Sequence, residues 1–165
     1  MSRAVVRAMA GLLPLAAACS SGAPTPGAES SQPVVTRIDS TAVVLSSGQG
    51  LGDPTRAVIR DSTAWEAFWA QAHSLMEPVP SLPAVNFTDS MLLVAASGTR
   101  SSGGHAITID SVARGATLRV FVTSVTPGAD CVTTMAITWP VQVVRVSRFE
   151  GSVAFVEGER VQPCA

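Results

Sequence analysis

From Val34 to Glu157 the chain is written mostly in short runs of Val, Ile, Thr and Phe, each closed by turn residues. The runs are VVTRI (34–38), RAVIR (56–60), MLLVAAS (91–97), HAITIDSV (105–112), TLRVFVTSV (117–125), VQVVRVSRF (141–149) and SVAFVE (152–157). Such residues fit a pleated, half-buried surface, so each run predicts a strand. Turn chemistry separates the later ones: RGA at 114–116, TPGAD at 126–130 and EG at 150–151. Links this short favour antiparallel neighbours, because parallel strands need long crossovers. MLLVAAS is apolar almost throughout, as expected of a central strand buried on both faces. In HAITIDSV, Ile107 and Ile109 alternate with Thr108 and Asp110. The Val143–Val144 doublet breaks that alternation and predicts a β-bulge or burial on two sides.

One segment has a different period. In DSTAWEAFWAQAHSL, Trp65, Phe68, Trp69 and Ala72 fall at i, i+3, i+4 and i+7, one face of a helix. Thr63 with Glu66 three residues later reads as a capping box. The aromatics are read as the face that packs on the sheet, not as a ligand platform, and His73 as a solvated residue at the helix end. EPVPSLP (77–83) cannot continue a helix, since each proline removes a donor, so it is a connector. The expected fold is mainly β: an antiparallel, sandwich-like sheet domain over residues 34–165, with one packed α-helix at about residues 63–73.

Composition agrees with a packed core and excludes some partners. Hydrophobic residues make up 47% of the 165 positions and charged ones 14%, too apolar for a disordered chain. The net charge is −1, and all 11 basic residues are arginines scattered through the sequence. Without a basic cluster there is no track for a phosphate backbone, so nucleic acid is not an expected partner.

The N-terminus reads as an export signal. MSRAVVRAMAGLLPLAAAC carries Arg3 and Arg7 ahead of an apolar run too short to span a bilayer. Ala16 and Ala18 fit an A-x-A cleavage site. The same ending resembles a bacterial lipobox with Cys19 as the lipidated residue, although its leucine, Leu15, sits one place early. Both readings cut before Cys19, making 1–18 the signal. CSSGAPTPGAESSQP, within residues 19–33, is a flexible Ser/Gly/Pro-rich tether. A tether directly after the cysteine is what a lipid-anchored domain needs to clear a membrane, so we expect membrane attachment through Cys19. The chain has three cysteines. With lipid on Cys19, Cys131 and Cys164 remain as a disulfide pair in an oxidising compartment.

The stretch SGTRSSGGHAIT (97–108) invites a catalytic reading. Ser101 or Ser102, His105 and Asp110 supply the residue types of a nucleophilic triad. His105 and Asp110 differ by five along a strand-like run, so they point to opposite faces. The G-x-S-x-G elbow is absent as well. With two histidines and dispersed cysteines, no metal-ligand spacing appears, and no cofactor is expected. We expect no enzyme here and no catalytic residue. The loop is a strand connection that needs glycine flexibility. Its Arg100, Ser101, Ser102, Gly103, Gly104 and His105 make it a candidate binding loop, for a partner protein or for an anion or glycan of the cell envelope.

Read in order, STAWEAFWAQA, PAVNFTDSMLLVAASG, SGGHAITIDSV, LRVFVTSVTPG and ITWPVQVVRV resemble the PrcB C-terminal domain family, over residues 55 to 156. The sharpest matches are Gly103–Gly104 before a strand and Thr138–Trp139–Pro140 before another. An aromatic residue is usual where this chain has His105, and an acidic one where it has Asn86. The resemblance implies an exported bacterial protein that is not itself catalytic and that associates with and stabilises an envelope protease complex. An envelope protease, or another envelope protein, is therefore the expected partner.

Overall fold

The computed structural model describes residues 34–38 and 40–164. Eight strands form: β1 (Val34–Arg37), β2 (Val43–Ser47), β3 (Pro54–Ile59), β4 (Ser90–Ser97), β5 (Ala106–Arg114), β6 (Leu118–Pro127), β7 (Pro140–Ser147) and β8 (Val153–Gln162). A single α-helix, α1 (Ser62–Ala72), lies between β3 and β4, and a 3-10 turn (Ser40–Ala42) precedes β2. The strands divide into two four-stranded sheets, ordered β1-β5-β6-β8 and β2-β7-β4-β3. The mainly β reading with one helix holds, and all seven quoted runs became strands.

Strand β4 is an interior strand, buried from Met91 to Ser97, and its two faces serve two cores. Leu92, Val94 and Ala96 join Trp65, Trp69, Ala72, Val141 and Val143 on the helix side. Met91, Leu93 and Ala95 join Ile107, Ile109, Leu118, Val120, Val122 and Val144 between the sheets. The layers are therefore helix, sheet, sheet. The Val143–Val144 doublet has the two-sided burial expected of it, one valine in each core. A register shift also occurs here, where β2 places Val43 opposite Val144 but Leu45 opposite Val143.

One strand pairing departs from the expected pattern. β8 runs parallel to β6 along its whole length, from Leu118↔Val153 to Pro127↔Gln162. The chain leaves the first sheet after β6, crosses to the second as β7, and returns. Residues 128–152 are thus the long crossover that a parallel pair requires. Short turn strings could not reveal this, because the intervening strand belongs to the other layer. β5 also carries a register shift between Ile109 and Ser111. The Ile109 N–H there donates to Gln142 Oε1 of the opposite sheet at 2.5 Å.

The helix starts differently from the capping box expected at Thr63. Asp61 is the N-cap, with extended backbone, and its carboxylate accepts from the Ala64 N–H at 2.8 Å. Asp61 is as good a capping residue as threonine and comes first, which leaves Thr63 inside the first turn. His73 closes the helix but is buried, not solvated. Its ring packs on Trp69 at 4.1 Å, and Nδ1–H donates to the Trp69 carbonyl at 2.9 Å. The proline-rich connector does more than link. Its Pro83 and Pro80 carbonyls accept the indole N–H groups of Trp65 and Trp69 at 3.0 and 2.9 Å. Each buried indole donor is thereby satisfied, as burial demands.

Candidate functional site

Residues 98–105 carry the chain from β4 in one sheet to β5 in the other, so the segment is a crossing and not a hairpin tip. Two glycines make its bends. Gly98 has φ +73°, and a Cβ there would lie 2.8 Å from the backbone of Gly52 and Pro54. Gly104 has φ +81° and packs against the Pro127 ring. Both conformations are ones that L side chains rarely adopt.

The crossing is pinned to a second loop, residues 128–139. Arg100 and Thr138 exchange backbone hydrogen bonds of 2.8 and 2.9 Å. The Gly103 N–H donates to the Thr134 carbonyl at 2.9 Å, and the Thr138 hydroxyl to the Ser102 carbonyl at 2.9 Å. The second loop is itself anchored. Cys131 and Cys164 form the disulfide expected of them, with Cα atoms 5.2 Å apart. Gly128 N–H donates to the Gln162 carbonyl at 2.9 Å. The two loops and the C-terminal strand end are thus one tied assembly at one end of the sandwich.

The side chains this assembly presents are informative. Val132, Met135 and Ile137 are exposed on the second loop, Val132 and Met135 fully so. Ser101 is exposed and Arg100 half-buried. The Ser102 hydroxyl donates to the Gly103 carbonyl at 3.3 Å. His105 is half-buried, and its Nδ1 is buried with no hydrogen-bond partner among the described residues. Asp110 does not orient that ring. Its carboxylate instead accepts the hydroxyls of Thr108 at 2.9 Å and Thr123 at 2.5 Å. The serine–histidine–aspartate set is therefore not assembled. The backbone N–H groups of Arg100 and Gly103 are spent on Thr138 and Thr134. Cys19, the signal and the tether lie outside the described residues.

The exposed apolar triplet of the second loop was not read from the sequence. VTTMAI (132–137) looks like ordinary strand material, and only its position beside Cys131 and TPGAD hinted that it belongs to a loop.

Fold and site together define a helix-backed β-sandwich whose crossing loops form a tied, partly apolar surface. Residues 91–147, from β4 to β7 with both loops included, match the PrcB C-terminal family model. The match is narrower than the resemblance over 55–156 and leaves α1 and β8 outside it. No curated protein and no solved structure matches the chain.

Proposed function

We propose that this protein is a non-catalytic, lipid-anchored subunit of the bacterial cell envelope that docks on and stabilises an envelope protease complex. The observation that carries this reading is the exposure of Val132, Met135 and Ile137 on a loop that is otherwise held by a disulfide and five hydrogen bonds to its neighbours. Apolar side chains on a fixed surface keep their ordering cost low on binding, and methionine adapts to an irregular partner. Arg100 and His105, at the foot of the same surface, supply polar contacts at its rim. The family match supports association with a protease complex; the Cys19 lipid and the tether supply attachment to the envelope.

The test is crosslinking of the full-length tagged protein in native membranes, read by mass spectrometry, with the mass of the Cys19 peptide read from the same preparation. A protease recovered in stoichiometric amount is expected from the wild type. Its recovery should fall by about tenfold or more in the Val132→Ser, Met135→Ser double variant, as for the loss of interface anchors. The melting temperature of that variant should stay put, because neither side chain is buried. Recovery of no protease, or recovery indifferent to the double variant, overturns the reading.

A further inference from the structure

The segment VTTMAI (132–137) has the composition of a strand but belongs to neither sheet. It runs without a turn or bend and is fastened along one edge only. On that edge Thr138 exchanges both backbone hydrogen bonds with Arg100, and the Thr134 carbonyl accepts from the Gly103 N–H at 2.9 Å. Backbone groups alternate sides along an extended chain. Thr134, Ala136 and Thr138 therefore turn theirs toward residues 100–103, and Thr133, Met135 and Ile137 turn theirs the other way. The N–H and C=O groups of Thr133, Met135 and Ile137 have no hydrogen-bond partner among the described residues. From residue 131 to 144 the chain carries no charge. Charged residues stand at the two ends of the segment: Asp130 just before it, and Arg100 paired with Thr138 just after it. Neither of these side chains makes a hydrogen bond or ion pair with a described residue.

An exposed, extended edge with open donors and acceptors is a template for one more strand. We infer that the protease complex docks by adding an extended segment of its own to this edge, antiparallel to residues 132–137. The inference rests on the protease-docking reading above and names how that surface is used. Main-chain hydrogen bonds to Thr133, Met135 and Ile137 hold the added strand, and the exposed Val132, Met135 and Ile137 side chains flank it. Antiparallel pairing matches the direction already set by Arg100 and Thr138 on the other edge, and it is the more stable per residue. Charge then sets the composition of the partner segment. It is uncharged opposite 132–137, with an acidic residue at the Arg100 end and a basic one at the Asp130 end. Because the two strands run in opposite directions, the acidic residue comes first in the partner's sequence.

Two substitutions at Met135 separate backbone from side chain, in the full-length tagged protein crosslinked in native membranes. Met135→Ala removes the side chain alone, whereas Met135→Pro removes the open N–H as well. Met135→Pro should recover about tenfold less protease than Met135→Ala, through the lost main-chain hydrogen bond and the ring that takes its place. Both should keep the wild-type melting temperature, since Met135 is fully exposed and its backbone groups are bonded to no described residue. Ile137→Pro against Ile137→Ala repeats the comparison at the next open N–H, should Met135→Pro disturb the fold. In the recovered complex, amide exchange read residue by residue should slow at Thr133, Met135 and Ile137 and less at Val132, Thr134 and Ala136. Contact between side chains alone would not produce that period of two. Equal recovery by folded proline and alanine variants, or protection without the alternation, overturns strand addition and leaves docking through side chains standing. Recovery of no protease by the wild type overturns the docking reading and this inference with it. Crosslinks at residues 132–137 between two copies of this chain, in place of protease, identify self-pairing and overturn it as well.

Discussion

The two ends of this sandwich are built on opposite plans. At one end, loops 98–105 and 128–139 are tied to each other and to the C-terminal segment, and among the side chains they show to solvent are the apolar Val132, Met135 and Ile137. At the other end, the strands open over an apolar floor of Val112, Leu118 and Val146, with Arg37, Arg114 and Arg145 also lining the opening. A tied apolar surface suits a large partner that must meet a fixed shape. The buried centre of β4, β5 and β7 separates the two ends.

The sharpest way to break this comparison is to untie the first end. The Cys131–Cys164 bond closes a 33-residue separation, and the chain-entropy account assigns a loop of that size about 3–4 kcal/mol of stability. Cys131→Ser together with Cys164→Ser should lower the stability by about that much, read as a shift of the urea midpoint at unchanged slope. The same double variant should lose protease recovery in crosslinking, since the apolar loop is no longer fixed. Protease recovery kept in this variant would show that the tie does not fix the docking surface.

The two ends also differ in how far the sequence foretold them. The strands, the helix and the two-sided burial of β4 were legible because each rests on a local period of two or 3.6, as in Trp65–Phe68–Trp69–Ala72. The disulfide was legible from the number of cysteines. The partnership of loops 98–105 and 128–139 was not, because Arg100–Thr138 pairing is a long-range backbone contact that carries no side-chain signature. The parallel β6–β8 pair was hidden for the same reason. The arginine cavity was invisible for another: Arg37, Arg114 and Arg145 are far apart in sequence, and only the meeting of β1, β5 and β7 brings them to one rim. Strand β2 escaped because VVLSS (43–47) mixes its apolar and polar residues in blocks.

Gly98→Ala tests the geometry of the tied end more gently. The residue has φ +73°, and an added Cβ would meet Gly52 and Pro54 backbone atoms at 2.8 Å. Backbone strain of this kind costs about 1–3 kcal/mol. A loss within that range in thermal or urea unfolding is the expected outcome. Because the clash bears on the entry to loop 98–105, hydrogen exchange should rise at the Arg100 and Thr138 amides before it rises in the β5–β6 hairpin that borders the arginine cavity. Uniform acceleration across both ends would show that the tie is not local.

The smallest effect belongs to the clamp between the two ends. Arg56 of β3 grips Glu157 of β8 through two hydrogen bonds of 2.8 Å, joining the edges of the two sheets. The Arg56 hydrogen bond holds the Glu157 carboxyl below its ordinary value of 4.5, against the opposing pull of partial burial and with added help from the guanidinium charge. A folded pKa below the unfolded one means stability that is fully present above about pH 4.5 and lost as pH falls through the lowered value. The Glu157 side chain is 48% exposed, so solvent and salt screen the pair and its worth stays below about 1 kcal/mol. Glu157→Gln should therefore lower the urea midpoint slightly at pH 7. The gap to the wild type should close on acidification below pH 4.5 and narrow in high salt. A gap that persisted in acid would assign the effect to packing of β8 and not to the charge.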